Sequence, residues 1–276
     1  MITSITDCTV LNNGLSMPWL GFGVFQVKEG EEVEQSVKWA LEAGYRSIDT
    51  AAIYGNERGV GKAMRESGVP RDDVFLTTKV WNEDQRQHRT LEAFNESLER
   101  LGTDYVDLCL IHWPVKGCYK ETWKAMEEIY ENGRAKAIGL SNFMIKHLED
   151  LLPDCNIVPT VNQVEFHPFL MQPNLLKFCK EQKIQLEAWS PIAQGQVVSV
   201  PELQQLGKKY HKTSVQIVLR WDLQHEVVTI PKSVHKERII ENAQIFDFEL
   251  SDEDMAVIDA LDEGRRIGAD PYTFTF

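Results

Sequence analysis

Short apolar segments alternate with longer amphipathic segments along the chain, from about residue 20 to residue 242. A short apolar run between turn-forming residues is typical of a buried strand, whereas apolar positions repeated every three or four residues are typical of a helix. The apolar runs predict eight strands, over residues 20–23, 47–49, 74–78, 105–111, 135–140, 160–164, 185–189 and 227–230. The amphipathic segments predict eight helices, over residues 31–43, 56–67, 89–101, 122–132, 145–152, 173–182, 214–224 and 236–242.

The repetition of strand and helix indicates the fold class. Several predicted helices end at a glycine, which readily takes the left-handed conformation that closes a helix; these are Gly44, Gly68, Gly102 and Gly133. Parallel strands need a crossover connection such as a helix between them. Eight strand-helix units in 276 residues favour a closed (β/α)8 barrel, the TIM-barrel fold, over an open doubly wound sheet.

Three segments fall outside this repeat. Asn12-Asn13-Gly14 predicts the turn of an N-terminal β-hairpin. Residues 201–210 predict an extra helix before the seventh barrel helix, and residues 251–261 predict a C-terminal helix with Ser251 as its N-cap. Because no linker or break in composition interrupts the chain, we expect residues 1–276 to form a single domain.

The charge of the chain narrows its partners. With 29 Lys and Arg residues against 42 Asp and Glu residues, the formal net charge is −13. An acidic surface repels the phosphates of nucleic acids and of anionic membranes, so we expect neither as a partner. Any anion that binds must be captured by a local group of cations.

The cysteines and the N-terminal residues bear on the compartment. The five cysteines are scattered singly, without the paired spacing of a zinc site or a disulfide framework, at Cys8, Cys109, Cys118, Cys155 and Cys179. The first residues lack the basic start and apolar run of a signal peptide, and no uninterrupted apolar stretch approaches a membrane span. We therefore expect reduced thiols, no metal and a cytoplasmic location.

Four chemically capable side chains follow three successive predicted strands. Asp49 ends the second strand and Tyr54 lies in its loop, whereas Lys79 and His112 end the third and fourth strands. Each has an ordinary alternative as a turn former, a solvated lysine, a cover of the core edge or a hydrogen-bonded scaffold histidine. Active-site groups of a (β/α)8 barrel lie at the carboxyl ends of its strands, however, so together these four predict a catalytic site.

The four residue types also suit one reaction. A tyrosine with a pKa of about 10 is a poor proton donor near neutrality, and an adjacent ammonium lowers that pKa by favouring the phenolate. Lys79 can supply the ammonium, and Asp49 can keep it protonated and in place. His112 can hydrogen-bond a substrate oxygen, so the predicted chemistry is proton donation to a carbonyl oxygen.

The motifs around these residues resemble those of the aldo-keto reductase superfamily. They are Gly44-Tyr45-Arg46-Ser47-Ile48-Asp49-Thr50-Ala51, Tyr54-Gly55-Asn56-Glu57, Thr78-Lys79-Val80-Trp81, Leu110-Ile111-His112-Trp113-Pro114 and Ile230-Pro231-Lys232-Ser233. The match runs through the whole chain in order. Within the superfamily, the chain is similar to the short-loop microbial and protozoal members, which include 2,5-diketo-gluconate, glyoxal and methylglyoxal reductases and prostaglandin F synthases.

The resemblance implies a barrel that binds NADPH in an extended form and delivers hydride to an aldehyde or ketone. It implies that Tyr54 is the general acid, that Lys79 and Asp49 tune its pKa, and that His112 orients the carbonyl. The nicotinamide carboxamide would be bound by Ser141, Asn142 and Gln163, with Trp189 stacked on the ring. The implied flap over the pyrophosphate includes Ser190, Pro191, Gln194 and Gly195.

The resemblance also implies where the adenosine end binds. Phosphate contacts would come from the segment after the last strand, namely Lys232, Ser233, Val234 and Arg238, and the adenine would be read by Glu241 and Asn242. A lysine, a hydroxyl, helix N-terminal amides and an arginine are suited to a phosphate. Since Lys232 and Arg238 would pair with the 2′-phosphate, we expect NADPH to be preferred over NADH. A capped surface helix with ordinary basic residues is the alternative.

Five apolar side chains flank the four catalytic candidates in sequence and are candidate walls of the substrate pocket, alongside His112; they are Phe22, Phe25, Ile53, Trp81 and Trp113. Core packing is an equal alternative for each.

Gly21-Phe22-Gly23 lacks the third glycine and the strand-to-helix context of a dinucleotide fingerprint. Short loops predict a small or open pocket with broad tolerance.

Together with the four candidate residues, the resemblance implies a monomeric, NADPH-dependent reductase that acts on a small-molecule carbonyl. The expected substrates are reactive aldehydes, α-dicarbonyls such as methylglyoxal, or keto-sugars. Two alternatives within the fold are a prostaglandin F synthase-like reductase and a non-catalytic NADP(H)-binding subunit. A third, a metal-dependent barrel hydrolase using His112 and Asp49, lacks the paired-histidine spacing of such sites.

Overall fold

The computed structural model describes residues 2–276. It begins with the predicted hairpin, in which β1 (Cys8–Val10) pairs antiparallel with β2 (Ser16–Pro18). Gly14 takes a φ of 87° in the turn, a left-handed conformation that glycine adopts without steric cost. The hairpin prediction is confirmed.

Eight parallel strands follow, each hydrogen-bonded to the next in chain order. They are β3 (Phe22–Gly23), β4 (Ser47–Asp49), β5 (Phe75–Val80), β6 (Val106–Ile111), β7 (Ala135–Ser141), β8 (Val161–Glu165), β9 (Gln185–Trp189) and β10 (Val228–Thr229). The segment before β3 also pairs with β10, because the Gly21 amide donates to the Thr229 carbonyl at 2.9 Å and the Thr229 amide donates to the Trp19 carbonyl at 3.1 Å. These bonds close the sheet, and the predicted (β/α)8 fold is confirmed.

Helices surround the strands at nearly the predicted positions. They are α1 (Glu31–Glu42), α2 (Glu57–Glu66), α3 (Asn82–Arg86), α4 (Thr90–Leu101), α5 (Tyr119–Glu131), α6 (Ile145–Leu151), α7 (Pro173–Glu181), α8 (Pro201–Tyr210), α9 (Ser214–Gln224), α10 (Lys236–Asn242) and α11 (Asp252–Asp259). The extra helices α8 and α11 match the prediction. Helix α3 was not predicted, because five polar residues carry no apolar period.

The core has two parts that face opposite sides of the barrel wall. The larger part fills the space between strands and helices. The smaller part lies inside the barrel and includes Phe75, Val161 and Val228, which begin or nearly begin their strands, together with Leu11 and Met17 of the hairpin segment. The hairpin therefore closes the amino-terminal end of the barrel with apolar side chains, and the polar interior lies toward the carboxyl end.

None of the helices formed by residues 2–276 is both long enough and apolar enough to cross a membrane.

Candidate active site

A cleft of about 680 Å³ opens at the carboxyl ends of the barrel strands. It is lined by most of the predicted site residues, namely Phe25, Asp49, Ile53, Tyr54, Trp81, His112, Trp113, Ser141, Asn142, Gln163, Trp189, Ser190, Pro191, Gln194, Gly195, Lys232 and Arg238. The location is the one expected for a catalytic (β/α)8 barrel.

Lys79 lies beneath the floor of this cleft and joins two of the lining residues. Its ammonium donates to Asp49 Oδ1 at 2.6 Å, to the Thr50 carbonyl at 2.9 Å and to the Tyr54 hydroxyl at 3.4 Å. Lys79 is 1% exposed, and such a lysine is stable only when its charge is compensated. The predicted Asp49, Lys79 and Tyr54 group is thus assembled at contact distance.

The loop after β4 holds Tyr54 in a fixed position. A 3-10 helix (Ala52–Tyr54) carries the tyrosine, and Gly55 closes it with a φ of 68°. Asn56 is fully buried behind the loop, where its side-chain amide donates to the Val24 and Val27 carbonyls and its oxygen accepts from the Thr50 hydroxyl. The side chain of Asn56 thereby fastens the Tyr54 loop to the loop after β3.

The pKa values of Lys79 and Tyr54 favour the protonated form of both side chains. Burial lowers the pKa of Lys79, but the attraction of Asp49 and Tyr54 outweighs it, and the pKa is raised above the ordinary lysine value. Burial also raises the pKa of Tyr54, and the Lys79 ammonium offsets this only in part. Lys79 therefore acts on the Tyr54 pKa in the predicted direction, but desolvation of the phenolate is the larger effect, so the pKa stays above the ordinary tyrosine value.

His112 faces Tyr54 across the cleft, with ring centroids 5.7 Å apart. Burial, followed by repulsion from the Lys79 ammonium, lowers its pKa well below the ordinary histidine value, so the imidazole is neutral at pH 7. The Nδ1 atom of His112 is buried and has no hydrogen-bond partner within the described range, residues 2–276. Nε2 is thus the ring nitrogen that can meet a ligand in the cleft.

Three amide and hydroxyl side chains line the cleft where β7 and β8 end. Ser141 donates from its hydroxyl to the backbone carbonyl of Gln163 at 2.9 Å. Asn142, at a φ of 66°, donates through Nδ2 to the His112 carbonyl and to Ser141 Oγ, and its Oδ1 accepts from Trp189 Nε1 at 2.9 Å. Gln163 donates through Nε2 to Asp49 Oδ2 at 2.7 Å and to Glu187 Oε2 at 2.8 Å. The three predicted amide-binding residues are adjacent and oriented.

Trp189 contacts the C-terminal segment of the chain. A Cβ atom at Gly268 would overlap the Trp189 ring, so only glycine fits there. The Gly268 amide and the Ile267 amide both donate to the buried Glu165 carboxylate at the end of β8. This segment therefore packs against the outer part of the cleft.

The segment over the cleft is built from strained turns. Ser190, Ala193 and Gln194 have positive φ values, as does Gly195. From the C-terminal segment, Arg265 Nη1 donates to Gln196 Oε1 at 2.8 Å. The residue that follows the predicted flap, Gln196, thus contacts the C-terminal segment.

Of the predicted phosphate-binding residues, Lys232 and Arg238 line the cleft, whereas Ser233 and Val234 do not. Lys232 and Arg238 are exposed, line the cleft and form no ion pair with any residue of 2–276. Ser233 lies behind them and hydrogen-bonds locally to His235, with Val234 half-buried beside it. The adenine candidates lie outside the cleft: Glu241 lines a separate hollow, and Asn242 is buried.

Aromatic side chains surround Tyr54 and His112. The Phe25 ring lies 5.0 Å from Tyr54, and the Trp81 ring lies 5.1 Å from His112. The predicted wall residues Phe25, Ile53, Trp81 and Trp113 all line the cleft. The prediction for Phe22 was wrong: this side chain is 1% exposed and packs edge-on against Tyr45 in the outer core, because in the short strand β3 it faces the helices.

The structure adds residues that sequence reasoning missed. Phe276 stacks parallel to Trp81 at 6.0 Å and meets Trp113 edge-on at 5.1 Å, so the C-terminal segment supplies part of the wall. Gln26, Gly268 and Ala269 also line the cleft. Glu187 is completely buried below Gln163. Its signal was present, since it lies two residues before Trp189 and so faces the same side of β9.

The part of the chain that the structure describes, residues 2–276, contains no group of three or more His, Cys, Asp or Glu side chains arranged to hold a metal ion. A metal-dependent hydrolase needs such a group. The donors around the cleft are instead amides, a phenol, an imidazole and unpaired cations, which suit an organic ligand with an amide and a phosphate.

The chain is similar in sequence and structure to known proteins. A model of the aldo/keto reductase family matches residues 19–263. The chain is 58% identical over 276 residues to the glyoxal reductase of Bacillus subtilis (strain 168), with 100% of both chains covered. It is 51% identical over 271 residues to the 9,11-endoperoxide prostaglandin H2 reductase of Trypanosoma cruzi (strain CL Brener), with 97% of this chain and 96% of the relative covered. The crystal structure of a Gox0644 mutant in complex with NADPH matches with a TM-score of 0.93 and 41% identity, with 98% of both chains covered.

Proposed function

Since this chain belongs to the aldo/keto reductase family and is an oxidoreductase, we propose that it reduces small aldehydes and α-dicarbonyls to alcohols with NADPH. The observation that carries the proposal is the contact of one buried ammonium, Lys79, with both Asp49 and the Tyr54 hydroxyl. Burying a lysine is costly, and a non-catalytic nucleotide-binding subunit would have no need of this arrangement beneath its cleft.

The donor set of the cleft fits NADPH. Gln163 offers an acceptor and Ser141 and Asn142 offer polar atoms to the carboxamide, whereas the indole of Trp189 offers a flat apolar face to the ring. The unpaired cations Lys232 and Arg238 suit the 2′-phosphate of NADPH, which NADH lacks. NADPH supplies the hydride when it is bound.

The side chains of the cleft supply the proton and the alignment. Because its pKa is raised, the Tyr54 phenol is protonated at neutral pH and can donate to the substrate carbonyl oxygen. The phenolate left behind lies 3.4 Å from the Lys79 ammonium, which stabilises the new negative charge in a site of low dielectric. Neutral His112 holds the same oxygen through Nε2, and Asp49 holds Lys79 in place.

The surroundings of Tyr54 favour uncharged, small substrates. The side chains that face Tyr54 and His112 across the cleft are aromatic, with Phe25 and Trp81 nearest. An anionic substrate would lose its hydration there without a cation in contact, whereas an aldehyde or α-dicarbonyl would not. Similarity to the Bacillus subtilis glyoxal reductase supports the same class of substrate. We further propose that the enzyme works as a cytoplasmic monomer.

The test is NADPH oxidation with methylglyoxal as substrate, comparing the wild type with Tyr54→Phe. Loss of the general acid should lower kcat by about 10²- to 10⁴-fold, while NADPH still quenches tryptophan fluorescence. Tyr105→Phe is the matched control, because its hydroxyl bonds Asp72 on the surface. Turnover by Tyr54→Phe within tenfold of the wild type would refute the mechanism, and a wild type without turnover would refute the function.

A prostaglandin endoperoxide reductase is the second candidate. Similarity to the Trypanosoma cruzi enzyme favours it, and so do the exposed apolar side chains of Phe25 and Ile53 at the cleft. The same assay with prostaglandin H2 separates the two, since the second candidate requires a higher kcat/KM for the endoperoxide than for methylglyoxal.

A further inference from the structure

A continuous line of hydrogen bonds runs through the barrel interior from β9 to Tyr54. Glu187 Oε2 accepts from Gln163 Nε2 at 2.8 Å, and the same nitrogen donates to Asp49 Oδ2 at 2.7 Å. Asp49 Oδ1 accepts from Lys79, which reaches Tyr54. We call Glu187, Gln163, Asp49, Lys79 and Tyr54 the buried polar chain. Glu187 is its only member without a role in the proposed reaction.

The two carboxyl groups determine which way round the Gln163 amide lies. The Asp49 carboxylate and the carbonyl oxygen of the neutral Glu187 carboxyl group both accept hydrogen bonds, so both face the NH2 group and not the carbonyl oxygen of the amide. Turning the amide over would set Oε1 against two acceptors. Gln163 lines the cleft, and its Oε1 atom has no partner among residues 2–276, so this oxygen is left free toward the ligand.

Asp49 alone would leave this orientation incomplete. It supplies one acceptor, and the second amide hydrogen of Gln163 would remain buried and unpaired, which costs free energy. Glu187 has no other hydrogen-bond partner among residues 2–276, and its Oε1 atom is buried. Burying a carboxyl group with a single hydrogen bond, made to a ligand-facing amide, costs the fold free energy, which points to a function for that contact.

We infer that Glu187 is a positioning residue that fixes the Gln163 amide with its acceptor toward the cleft, so that the cofactor is recognised by an N–H group of its carboxamide. This inference rests on the proposed NADPH function. It assigns Glu187 no contact with cofactor or substrate, since the side chain lies beneath the cleft.

The experiment compares two cofactors that differ only at this group. Dissociation constants are measured by tryptophan fluorescence quenching for NADPH and for its reduced 3-acetylpyridine analogue, in which a methyl group replaces the carboxamide NH2. The wild type should bind the analogue about tenfold more weakly, as expected for one lost hydrogen bond. Glu187→Leu and Glu187→Met should bind both cofactors within about twofold of each other. Glu187→Gln retains an acceptor and should restore the tenfold ratio.

The controls separate the possible failures. Leu108→Ala removes apolar volume inside the barrel at a residue that is not a member of the buried polar chain, and should lower the melting temperature but keep the tenfold ratio. If Glu187→Leu or Glu187→Met keeps the tenfold ratio of dissociation constants, the inference is overturned. Loss of that ratio in the isosteric Glu187→Gln would also overturn it, and this variant provides the test if the apolar variants do not fold. Failure of the wild type to bind NADPH at all would instead reject the proposed function.

Discussion

Replacing Arg238 tests whether the cleft was built for a 2′-phosphorylated cofactor. Arg238 lines the cleft, is exposed, and has no ion-pair partner among residues 2–276, so Arg238→Ala removes a free cation without leaving a protein carboxylate unpaired. A hydrogen bond to a charged group contributes about 1.5–3 kcal/mol. Since the guanidinium is exposed, solvent screening favours the lower end, which corresponds to an NADPH dissociation constant about tenfold higher.

Lys236→Ala is the matched control for the lost charge. Lys236 lies on the same helix, α10, but its ammonium pairs with Glu42 at 3.3 Å and does not line the cleft. Fluorescence titration at 0.15 M salt should show the tenfold loss for NADPH in Arg238→Ala only, with NADH binding unchanged in both variants. Raising the salt to 1 M should shrink the difference, because the Debye length falls from about 8 Å to about 3 Å. Equal NADPH affinity in wild type and Arg238→Ala, or an equal loss for NADH, would refute the assignment.

Two further predictions concern stability and packing. Burial, together with the charge of Asp49, raises the pKa of Glu187 to about 8, so between an unfolded pKa of about 4.3 and that value the folded protein holds a proton that the unfolded chain releases. The contribution of Glu187 to the free energy of unfolding is therefore complete in acid and falls as the pH rises, by up to about 1.4 kcal/mol per pH unit. In melting curves from pH 5 to 8, the melting temperature of Glu187→Gln should rise relative to that of the wild type by about 2–4 °C per pH unit. A constant difference between the two melting temperatures would contradict this. Gly268→Ala should lower stability by about 1–3 kcal/mol and weaken NADPH quenching, because the added methyl overlaps the Trp189 ring; calorimetry and titration check both, and unchanged values would mean that the segment yields freely.

The proximity of the four catalytic candidates was predictable from sequence because each lies at the end of a strand, or in the loop after it, in a repeating fold. Asp49, Lys79 and His112 lie within one residue of the ends of β4, β5 and β6, where the barrel brings them together whatever the helices outside look like. The pKa of Tyr54 was not predictable. The sequence shows that an ammonium is near, but the depth of burial, which has the larger effect, emerges only from the packed structure.

Contacts between distant segments account for the other differences. Phe276 reaches Trp81 and Trp113 across more than 160 residues, and no local pattern announces that approach. Phe22 failed for a different reason: a strand of two residues gives too little alternation to tell the cleft side from the helix side. Glu187 lies on the same face of β9 as Trp189, but a single charge in an apolar run gives no sign of the Gln163 side chain that it contacts.

The apolar hairpin end of the barrel has a consequence for the supply of protons. Leu11 and Met17 pack with Phe75 and Val228 in one buried apolar cluster that closes that end of the barrel. In the proposed reaction, water and hydronium would therefore reach Tyr54 only from the side by which cofactor and carbonyl enter. With both ligands bound, the phenol would be shielded from the solvent, so each catalytic cycle would transfer a single proton. Release of the alcohol would then precede reprotonation of Tyr54 through the same opening.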